Sequence, residues 1–362
     1  MVYKVIGLMS GSSLDGLDIV FTELQETGGK WNYEIINSIC MEYDETWQKK
    51  LKGAIDLQAV DYLLLHTEYG KFIGEKIKEF IGENNLQHKV NLVSSHGHTT
   101  FHLPEKKMTH QLGEGAAIAS ETNLPVISDL RSMDIAFGGQ GAPIVPIGEK
   151  LLFTDYNYFL NIGGIANLSI HNENTVIAFD VCAANRVLNM LAEEKGLPYD
   201  DEGKISAKGN INNALLEKIN SLEYFKLPYP KSLANSFGTD VIFPIIKSFE
   251  INTEDALSTF TEHICIQIKN SLKPFKQNER QKLFITGGGA FNTFLIKRLN
   301  HHLEETNFEI HIPEENVVKY KEALIMALLG ILRWREQYTV LASVTGASRN
   351  SVGGAIWLGT DA

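Results

Sequence analysis

The sequence has little of several features that would place the protein in other classes. Only three of its 362 residues are cysteine, namely Cys40, Cys182 and Cys265, an odd number at wide spacing. Disulfide-stabilised secreted domains carry cysteines in even numbers and at short spacing. We therefore expect no disulfide framework and a reducing compartment, the cytoplasm.

Long apolar runs and an excess of basic residues are also missing. No uncharged stretch approaches the roughly 20 residues that cross a bilayer, and residues 1–9 are too short an apolar run for a signal sequence. The 33 Lys and Arg are outnumbered by 44 Asp and Glu, for a formal net charge of -11. Because nucleic acids and anionic membranes both attract basic surfaces, neither is an expected partner.

The sequence is rich in apolar material for a large core. With 44% hydrophobic residues in 362, the chain exceeds the usual size of one core, so two domains are expected. Apolar residues recur at three- and four-residue steps over residues 61–81, which predicts an amphipathic helix. Short β-rich segments surround it and predict an α/β fold, with strands at residues 3–9, 17–24, 33–43, 90–94 and 124–128.

The second half repeats the opening pattern of strand, glycine bend and strand. Residues 129–143 are expected to be a loop, after which strands at 156–162 and 165–170 flank Gly163 and Gly164. This repetition predicts a duplicated fold, divided into residues 1–130, with 340–362 a candidate to complete them, and 131–339. The remaining predicted elements are strands at 175–180 and 282–286 and helices at 184–195, 255–273, 293–303 and 320–335.

The bend Gly7-Leu-Met-Ser-Gly-Ser-Ser-Leu-Asp-Gly16 combines glycines, serine hydroxyls and a carboxylate between two predicted strands. Glycines let backbone N–H groups approach an anion, and a carboxylate can hold the waters of a Mg²⁺ ion. The spacing is not that of a Walker loop, which places Gly-Lys-Ser/Thr at the start of a helix. From these residues alone, a phosphate loop and an ordinary hairpin turn are both open.

The bend resembles the signature Gly-Val-Met-Ser-Gly-Thr-Ser-Leu-Asp-Gly of anhydro-N-acetylmuramic acid kinases, with Ser12 in place of the usual threonine. Further segments match that family in the same order along nearly the whole chain. They are residues 95–102 (Ser-His-Gly-His-Thr-Thr-Phe-His), 129–146, 161–169 (Asn-Ile-Gly-Gly-Ile-Ala-Asn-Leu-Ser), 286–289 (Thr-Gly-Gly-Gly) and 344–348 (Val-Thr-Gly-Ala-Ser).

This resemblance implies two ribonuclease-H-like domains of the actin-like superfamily, with ATP and Mg²⁺ in the cleft between them. Residues 11–18 would be the first phosphate loop and 161–167 the second, while 286–289 would lie against the adenosine. The implied ATP-binding residues are Gly11, Ser12, Ser13, Leu14, Asp15, Gly16, Leu17, Asp18, Gly163, Gly164, Asn167, Gly287, Gly288 and Gly289, with Asp15 a candidate to hold Mg²⁺ through water.

The resemblance also implies two catalytic carboxylates. Asp180 falls on the base that activates water at the anomeric carbon, and Glu322 falls on an assisting glutamate. A carboxylate closing the strand before it would lie where α/β sheets bind ligands, but Asp180 could equally cap the following helix. Glu322 has the alternative of a first-turn glutamate favoured by the helix dipole.

Ser10, His96, Arg131 and Asp134 are the candidates for sugar binding that the resemblance implies. Arg131 and Asp134 have the alternative of joining the parts of their own loop. His96, His98 and His102 could suggest metal ligands, but no Cys or carboxylate lies at ligand spacing, so we do not expect a metal site there.

The chain departs from the family at Asp180-Val-Cys-Ala-Ala-Asn185, where the family has Asp-Thr-Gly-Pro-Gly-Asn. Losing two glycines and a proline predicts a reshaped loop, and with it a related sugar or slower turnover. Cys182, without a histidine nearby in sequence, is expected to be a buried filler and not a nucleophile. Residues 314–321 also lack the acidic, glycine-containing stretch of the family, which puts the role of Glu322 in doubt.

The expected function is therefore that of an ATP-dependent kinase that opens 1,6-anhydro-N-acetylmuramic acid with water and phosphorylates O6. Alternatives are a kinase of another amino sugar, a catalytically silent nucleotide-binding regulatory protein and, more remotely, a His-dependent metallohydrolase. The expected partners are an amino sugar and ATP, and the resemblance adds a possible homodimer.

Overall fold

A computed structural model gives the fold and describes residues 1–11, 14–172, 175–229, 231–234 and 236–359. The chain forms two compact units, Met1–Thr154 with Tyr320–Ala362, and Asp155–Lys319. Each unit contains a mixed β-sheet with helices, which confirms the predicted α/β class. The predicted division at residues 130 and 339 differs from this one, because 131–154 and 320–339 belong to the first unit.

The first unit begins with an antiparallel meander and then alternates helices and strands. The two-residue turn Gly28-Gly29, with φ of 59° and 82°, joins its second and third strands as type I′ hairpin turns require. In chain order the elements up to residue 154 are β1 Val2–Ser10, β2 Gly16–Thr27, β3 Lys30–Glu42, α1 Glu45–Gly53, α2 Ala59–Glu83, β4 Leu92–Leu103, β5 Met108–Leu112, α3 Gly115–Thr122, β6 Val126–Ser128, α4 Ser132–Ala136 and α5 Val145–Leu152.

The second unit repeats the meander. Its elements are β7 Tyr158–Ile162, β8 Ile165–His171, β9 Val176–Ala183, α6 Asn185–Glu193, α7 Asn213–Asn220, α8 Phe243–Lys247, α9 Thr253–Leu272, β10 Gln281–Thr286, α10 Thr293–Leu303 and β11 Phe308–His311. Helix α11, Glu315–Trp334, contains the unit boundary at Tyr320, whose φ of -118° interrupts the helix. The chain returns to the first unit for α12 Ala342–Thr345 and β12 Ala355–Trp357.

Both sheets have the same strand order. In the first unit the order is β12-β6-β4-β1-β2-β3, with β5 paired to β4, and in the second it is β11-β10-β7-β8-β9. In each, the first three strands pair antiparallel, β4 or β10 pairs parallel to the first strand, and β6 or β11 pairs parallel to β4 or β10. In the first unit β12 adds an antiparallel strand beyond β6. This shared order is that of ribonuclease-H-like domains, so the predicted duplicated fold is confirmed.

Amphipathic spacing explains the longest helix of the first unit. Tyr62, Leu65, Tyr69, Ile73 and Ile77 share one buried face of α2, as the spacing at residues 61–81 predicts. They pack into the core of β1, β2 and β4.

The segment after Asp129 is where the predicted elements were wrong. Residues 129–143 were expected to be a loop, yet α4 forms at Ser132–Ala136. Its five residues are too few for helical periodicity to be visible in sequence. The structure also extends the strand predicted at 90–94 to Leu103.

Glycine allows β1 and α11 to touch. A Cβ placed on Gly7 would lie 2.1 Å from the carbonyl oxygen of Ala323 and 2.8 Å from Cβ of Ala327, so only glycine fits here. This contact brings residues 320–334 into the first unit and sets Glu322 beside the opening meander. None of the helices in the described ranges has the length and apolarity to cross a membrane.

Candidate active site

The first glycine bend connects β1 to β2, with Ser10 paired to Leu17 across it. Ser12 and Ser13, predicted to bind phosphate, lie outside the described residues. Leu14 adopts a φ of 62°, and Asp15 is exposed beyond it. Of the other predicted phosphate-loop residues, Gly11 lies in the bend, Gly16 begins β2, and the Leu17 side chain is buried in the core. The Leu17 side chain therefore supports the bend from within.

Asp18, on β2, is a carboxyl whose pKa the surroundings raise strongly. Burial, against a lowering hydrogen bond from the Cys40 thiol, and the negative charges of Glu322 and Asp15 together raise the pKa of Asp18 to about 6. Asp18 and Glu322 therefore lie close enough to repel each other. A carboxyl with a pKa near neutrality can exchange a proton under physiological conditions.

His96 and Arg131 form a buried pair in the first unit. His96 Nδ1 lies 2.8 Å from the carbonyl oxygen of Gly97, and its Nε2 accepts from Arg131 Nε at 2.7 Å. Since a carbonyl oxygen only accepts, Nδ1 carries the proton and the imidazole is neutral. Burial and the charge of Arg131 lower the pKa of His96 to about 3, in agreement with that form.

Asp134 and Arg131 also tie their own loop together. The Asp134 carboxylate accepts from Gly141 N at 2.8 Å and from Thr345 Oγ1 at 2.7 Å, while Arg131 Nη1 donates to the carbonyl of Gly141 at 2.7 Å. Burial lowers the pKa of Arg131 to about 10, and the charges of Glu322 and Asp134 oppose that shift. These contacts are those of the loop-joining alternative, and sugar contact by this pair stays a prediction.

Ser10 is part of a buried polar chain that the sequence did not reveal. The Tyr43 hydroxyl donates to Ser10 Oγ at 2.8 Å and lies 2.5 Å from the Tyr69 hydroxyl. Ser10 Oγ lies 3.1 Å from Nδ1 of His98, whose pKa burial lowers to about 4. Ser10 is buried, at 3% exposed, so sugar contact by Ser10 stays a prediction. Tyr43 and Tyr69 could not be found from sequence because their spacing carries no motif.

The second bend, Gly163-Gly164 between β7 and β8, is hydrogen-bonded to the start of α6. Ala184 N donates to the carbonyl of Gly164 at 2.9 Å, and Asn185 N donates to that of Gly163 at 3.0 Å. The N–H groups of Gly163 and Gly164 themselves donate to no residue that the structure describes. Two free donors in a partly exposed bend suit an anion.

The glycine triplet lies against this bend. Gly287 has a φ of 83°, and a Cβ on it would lie 2.7 Å from both Asn161 Oδ1 and the carbonyl oxygen of Ile162. A Cβ on Gly289 would lie 2.3 Å from the Ile162 side chain. The structure thus brings together two segments that the sequence places more than a hundred residues apart. A Cβ on Gly288 would lie 3.4 Å from Nδ2 of Asn185.

Asp180 lies within β9, three residues before its end at Ala183, so the expectation that it closes the strand was wrong. Pairing of Asn167 with Asp180 and of Ala166 with Cys182 leaves Val181 as a β-bulge. The helix-capping alternative is not realised either, because α6 begins after Ala184.

The Asp180 carboxylate is held from one side by a loop that the sequence did not mark. Asp180 Oδ2 accepts from Leu233 N at 2.8 Å and from Ser232 Oγ at 3.1 Å, and its backbone carbonyl accepts from the Tyr224 hydroxyl at 2.7 Å. Burial raises the pKa of Asp180, whereas the two bonds to Oδ2 oppose the shift. Oδ1 accepts from no described residue and is the oxygen available to a ligand.

The departure at residues 181–184 does not form a loop. Val181, Cys182 and Ala183 continue β9 and Ala184 precedes α6. All four belong to the core of the second unit, each at most 3% exposed. In this chain apolar residues form the end of a strand where a loop was expected. Burial raises the pKa of the Cys182 thiol, which disfavours the reactive thiolate.

Within the described ranges, no three His, Cys, Asp or Glu side chains come together as metal ligands. His102 hydrogen-bonds Thr109 and His98 contacts Ser10, so the histidines of the 95–102 segment serve different networks.

A sequence model described as anhydro-N-acetylmuramic acid kinase matches residues 3–359. The chain belongs to that family. Similar curated proteins are anhydro-N-acetylmuramic acid kinases of Bacillus thuringiensis (strain Al Hakam), 32% identical over 380 residues, and of Bacillus cereus (strain 03BB102), 32% identical over 377. These alignments cover 98% and 97% of this chain, and 98% of each relative.

Among solved structures, the activator of the 2-hydroxyisocaproyl-CoA dehydratase from Clostridium difficile with bound ADPNP superposes with a TM-score of 0.46 at 15% identity. The superposition covers 92% of this chain and 96% of that one.

Membership of the anhydro-N-acetylmuramic acid kinase family confirms the resemblance seen in the motifs. Enzymes of this family are ATP-dependent sugar kinases, transferases that phosphorylate a hydroxyl group, so the predicted enzyme class is confirmed too. The roles of individual site residues stay predictions.

Proposed function

We propose that the protein converts 1,6-anhydro-N-acetylmuramic acid, ATP and water into N-acetylmuramic acid 6-phosphate and ADP, as a step of cell-wall recycling. The family match over residues 3–359 supports the substrate. The proposed mechanism rests on the Asp180 carboxylate. Its Oδ2 accepts two hydrogen bonds, and its Oδ1 accepts none from a described residue.

Asp180 is the proposed general base. A base is efficient when its pKa approaches the working pH, and burial shifts the pKa of Asp180 in that direction. The bonds from Leu233 N and Ser232 Oγ hold the carboxylate in one orientation, so a water at Oδ1 would meet an aligned acceptor.

In the proposed reaction, Asp180 is the base that accepts the proton of the attacking water. The water oxygen bonds the anomeric carbon while its proton passes to Asp180. The bond between the anomeric carbon and O6 breaks, and O6 takes the γ-phosphoryl group as ADP leaves. Such a transfer depends on positioning and on neutralising phosphate charge more than on covalent help from the protein. Glu322 is the proposed assisting carboxylate.

The glycine bends are the proposed phosphate-binding elements. In the second unit, the free N–H groups of Gly163 and Gly164 suit phosphate oxygens. The turn at Gly287–Gly289, which packs on that bend, is the proposed contact for the adenosine. In the first unit, Gly11 and the exposed Asp15 carry the corresponding role. Asp15 fits a carboxylate that would hold hydrated Mg²⁺, whose chemistry is to neutralise phosphate charge.

The proposed compartment is the cytoplasm, where a kinase has ATP available, and the proposed assembly is a homodimer. Cys40, Cys182 and Cys265 are free thiols, as suits a reducing compartment. Sedimentation of the purified protein tests the homodimer.

Replacing Asp180 by asparagine tests the base. Asp180→Asn keeps the acceptor for Leu233 and Ser232 but cannot take a proton, so sugar-dependent ADP release should fall about 100- to 10,000-fold with ATP affinity unchanged. A coupled ADP assay and a nucleotide titration measure the two.

Asp240→Asn, which neutralises an exposed carboxylate of the same unit, is the matched control and should keep normal turnover. Wild-type turnover of Asp180→Asn would rule Asp180 out as the base. A panel of amino sugars in the same assay identifies the preferred substrate.

A further inference from the structure

Arg186, the second residue of α6, lies beside the second glycine bend. A Cβ placed on Gly164 would lie 3.6 Å from Nε of Arg186 and 4.0 Å from its Nη2. The side chain is partly exposed, and none of the hydrogen bonds or ion pairs among the described residues involves its guanidinium. Arg186 is therefore a cation without a partner in a protein with a formal net charge of -11.

The position of this arginine is unfavourable without an anion. In the first turn of a helix, the exposed N–H groups carry partial positive charge, and a further positive charge there is repelled. The helix cannot relieve this by binding an anion through Ala184 N and Asn185 N, because both already donate to the carbonyls of the bend. Among the described residues, the unpaired donors on this side are the guanidinium, the backbone N–H of Arg186 and the N–H groups of Gly163 and Gly164.

We propose that Arg186 binds a phosphate group of the nucleotide at the Gly163-Gly164 bend. The proposal rests on the proposed function, in that the bend is taken as a phosphate loop. Two neutral N–H donors orient a phosphate oxygen but cancel none of its charge. The guanidinium adds a full charge and paired donors whose planar fork matches a phosphate. Arg186 also follows directly the segment that departs from the family signature.

The test separates phosphate binding from binding of the nucleoside. ATP and adenosine are titrated calorimetrically, without sugar, against wild type, Arg186→Gln and Arg186→Lys. Arg186→Gln should weaken ATP binding about 10- to 100-fold, the usual value of a charged hydrogen bond, and leave adenosine binding unchanged. Arg186→Lys should keep part of the affinity, because it retains the charge and loses the fork.

Lys297→Gln is the matched control, since it removes an exposed charge of the same unit from α10 and should leave ATP affinity as in wild type. Equal ATP affinity of Arg186→Gln and wild type overturns the role of Arg186 and leaves the proposed function standing. Equal losses for ATP and adenosine overturn it too, since the arginine then acts on the fold. A wild-type protein that binds no ATP overturns the proposed function and this inference together.

Discussion

Asp18 is a carboxyl that the folded state prefers to keep protonated. Its side chain is partly buried on β2, and the charges of Glu322 and Asp15 add to the cost of ionising it. The sequence predicted Leu17 and Asp18 to be part of a phosphate loop, but it did not predict the raised pKa of Asp18. Proton affinity depends on Glu322, which lies about three hundred residues further along the chain and reaches Asp18 only through folding.

Neutralising Asp18 should therefore change how stability depends on pH. Because the pKa of Asp18 is about 6 in the folded state against an ordinary value of 3.8, the folded state binds the proton more tightly, and stability falls as pH rises from about 4 to about 6. Asp18→Asn removes this loss, so its gain over wild type should reach about 1 to 2 kcal/mol at pH 7.5 and shrink towards pH 4.5.

Urea unfolding at both pH values, without nucleotide, measures that difference. Asp56→Asn, at an exposed carboxyl of the same unit, should show no such dependence. A gain of equal size at pH 4.5 and 7.5 would show that the Asp18 charge is not the cause.

At the scale of elements, helices with many apolar positions were predictable and short ones were not. The spacing over residues 61–81 lies inside α2, and the helix predicted at 293–303 coincides with α10. Helix α11 was predicted from residue 320, whereas it begins at Glu315 and Tyr320 interrupts it. By contrast, α4 and β12 have too few residues for any period to appear.

Helices α5 and α11 are joined by a buried ion pair. Lys321 Nζ lies 2.8 Å from Glu149 Oε1, and the two side chains are 5% and 3% exposed. Lys321→Met removes one partner and leaves a buried carboxylate without its counter-charge, which should cost about 3 to 5 kcal/mol. The double variant Glu149→Leu with Lys321→Met should recover most of that loss, since no buried charge remains.

Urea midpoints of the two single variants and the double variant complete this cycle. A double variant whose loss of stability equals the sum of the losses of the two single variants would contradict a coupled pair. The paired residues lie 172 positions apart in the chain, so no local sequence pattern predicted this ion pair.

At the scale of the whole molecule, the proposed nucleotide binding predicts a ligand-dependent stability. A ligand that binds only the folded state stabilises it by about 2.7 kcal/mol at one hundred times its Kd. For units of this size that is a rise of roughly 5 to 10 °C in Tm. Differential scanning fluorimetry with ATP should show this rise, and GTP at the same concentration is the comparison for base selectivity. An unchanged Tm with ATP would contradict nucleotide binding.

The sequence alone predicted the family, the α/β class, the duplication and the position of both glycine bends between strands. Each of these predictions depends on residues that are neighbours in the chain. Only the tertiary structure decided that Asp180 lies inside β9, that Ser232 and Leu233 hold its Oδ2, and that the triplet at Gly287 packs on the bend at Gly163. The physical reason is that hydrogen bonds and burial act over a few ångströms in space, whatever the separation along the chain. For the same reason the sequence did not predict that Arg186 lies beside the second bend or that Glu322 lies near Asp18, since folding brings these residues together.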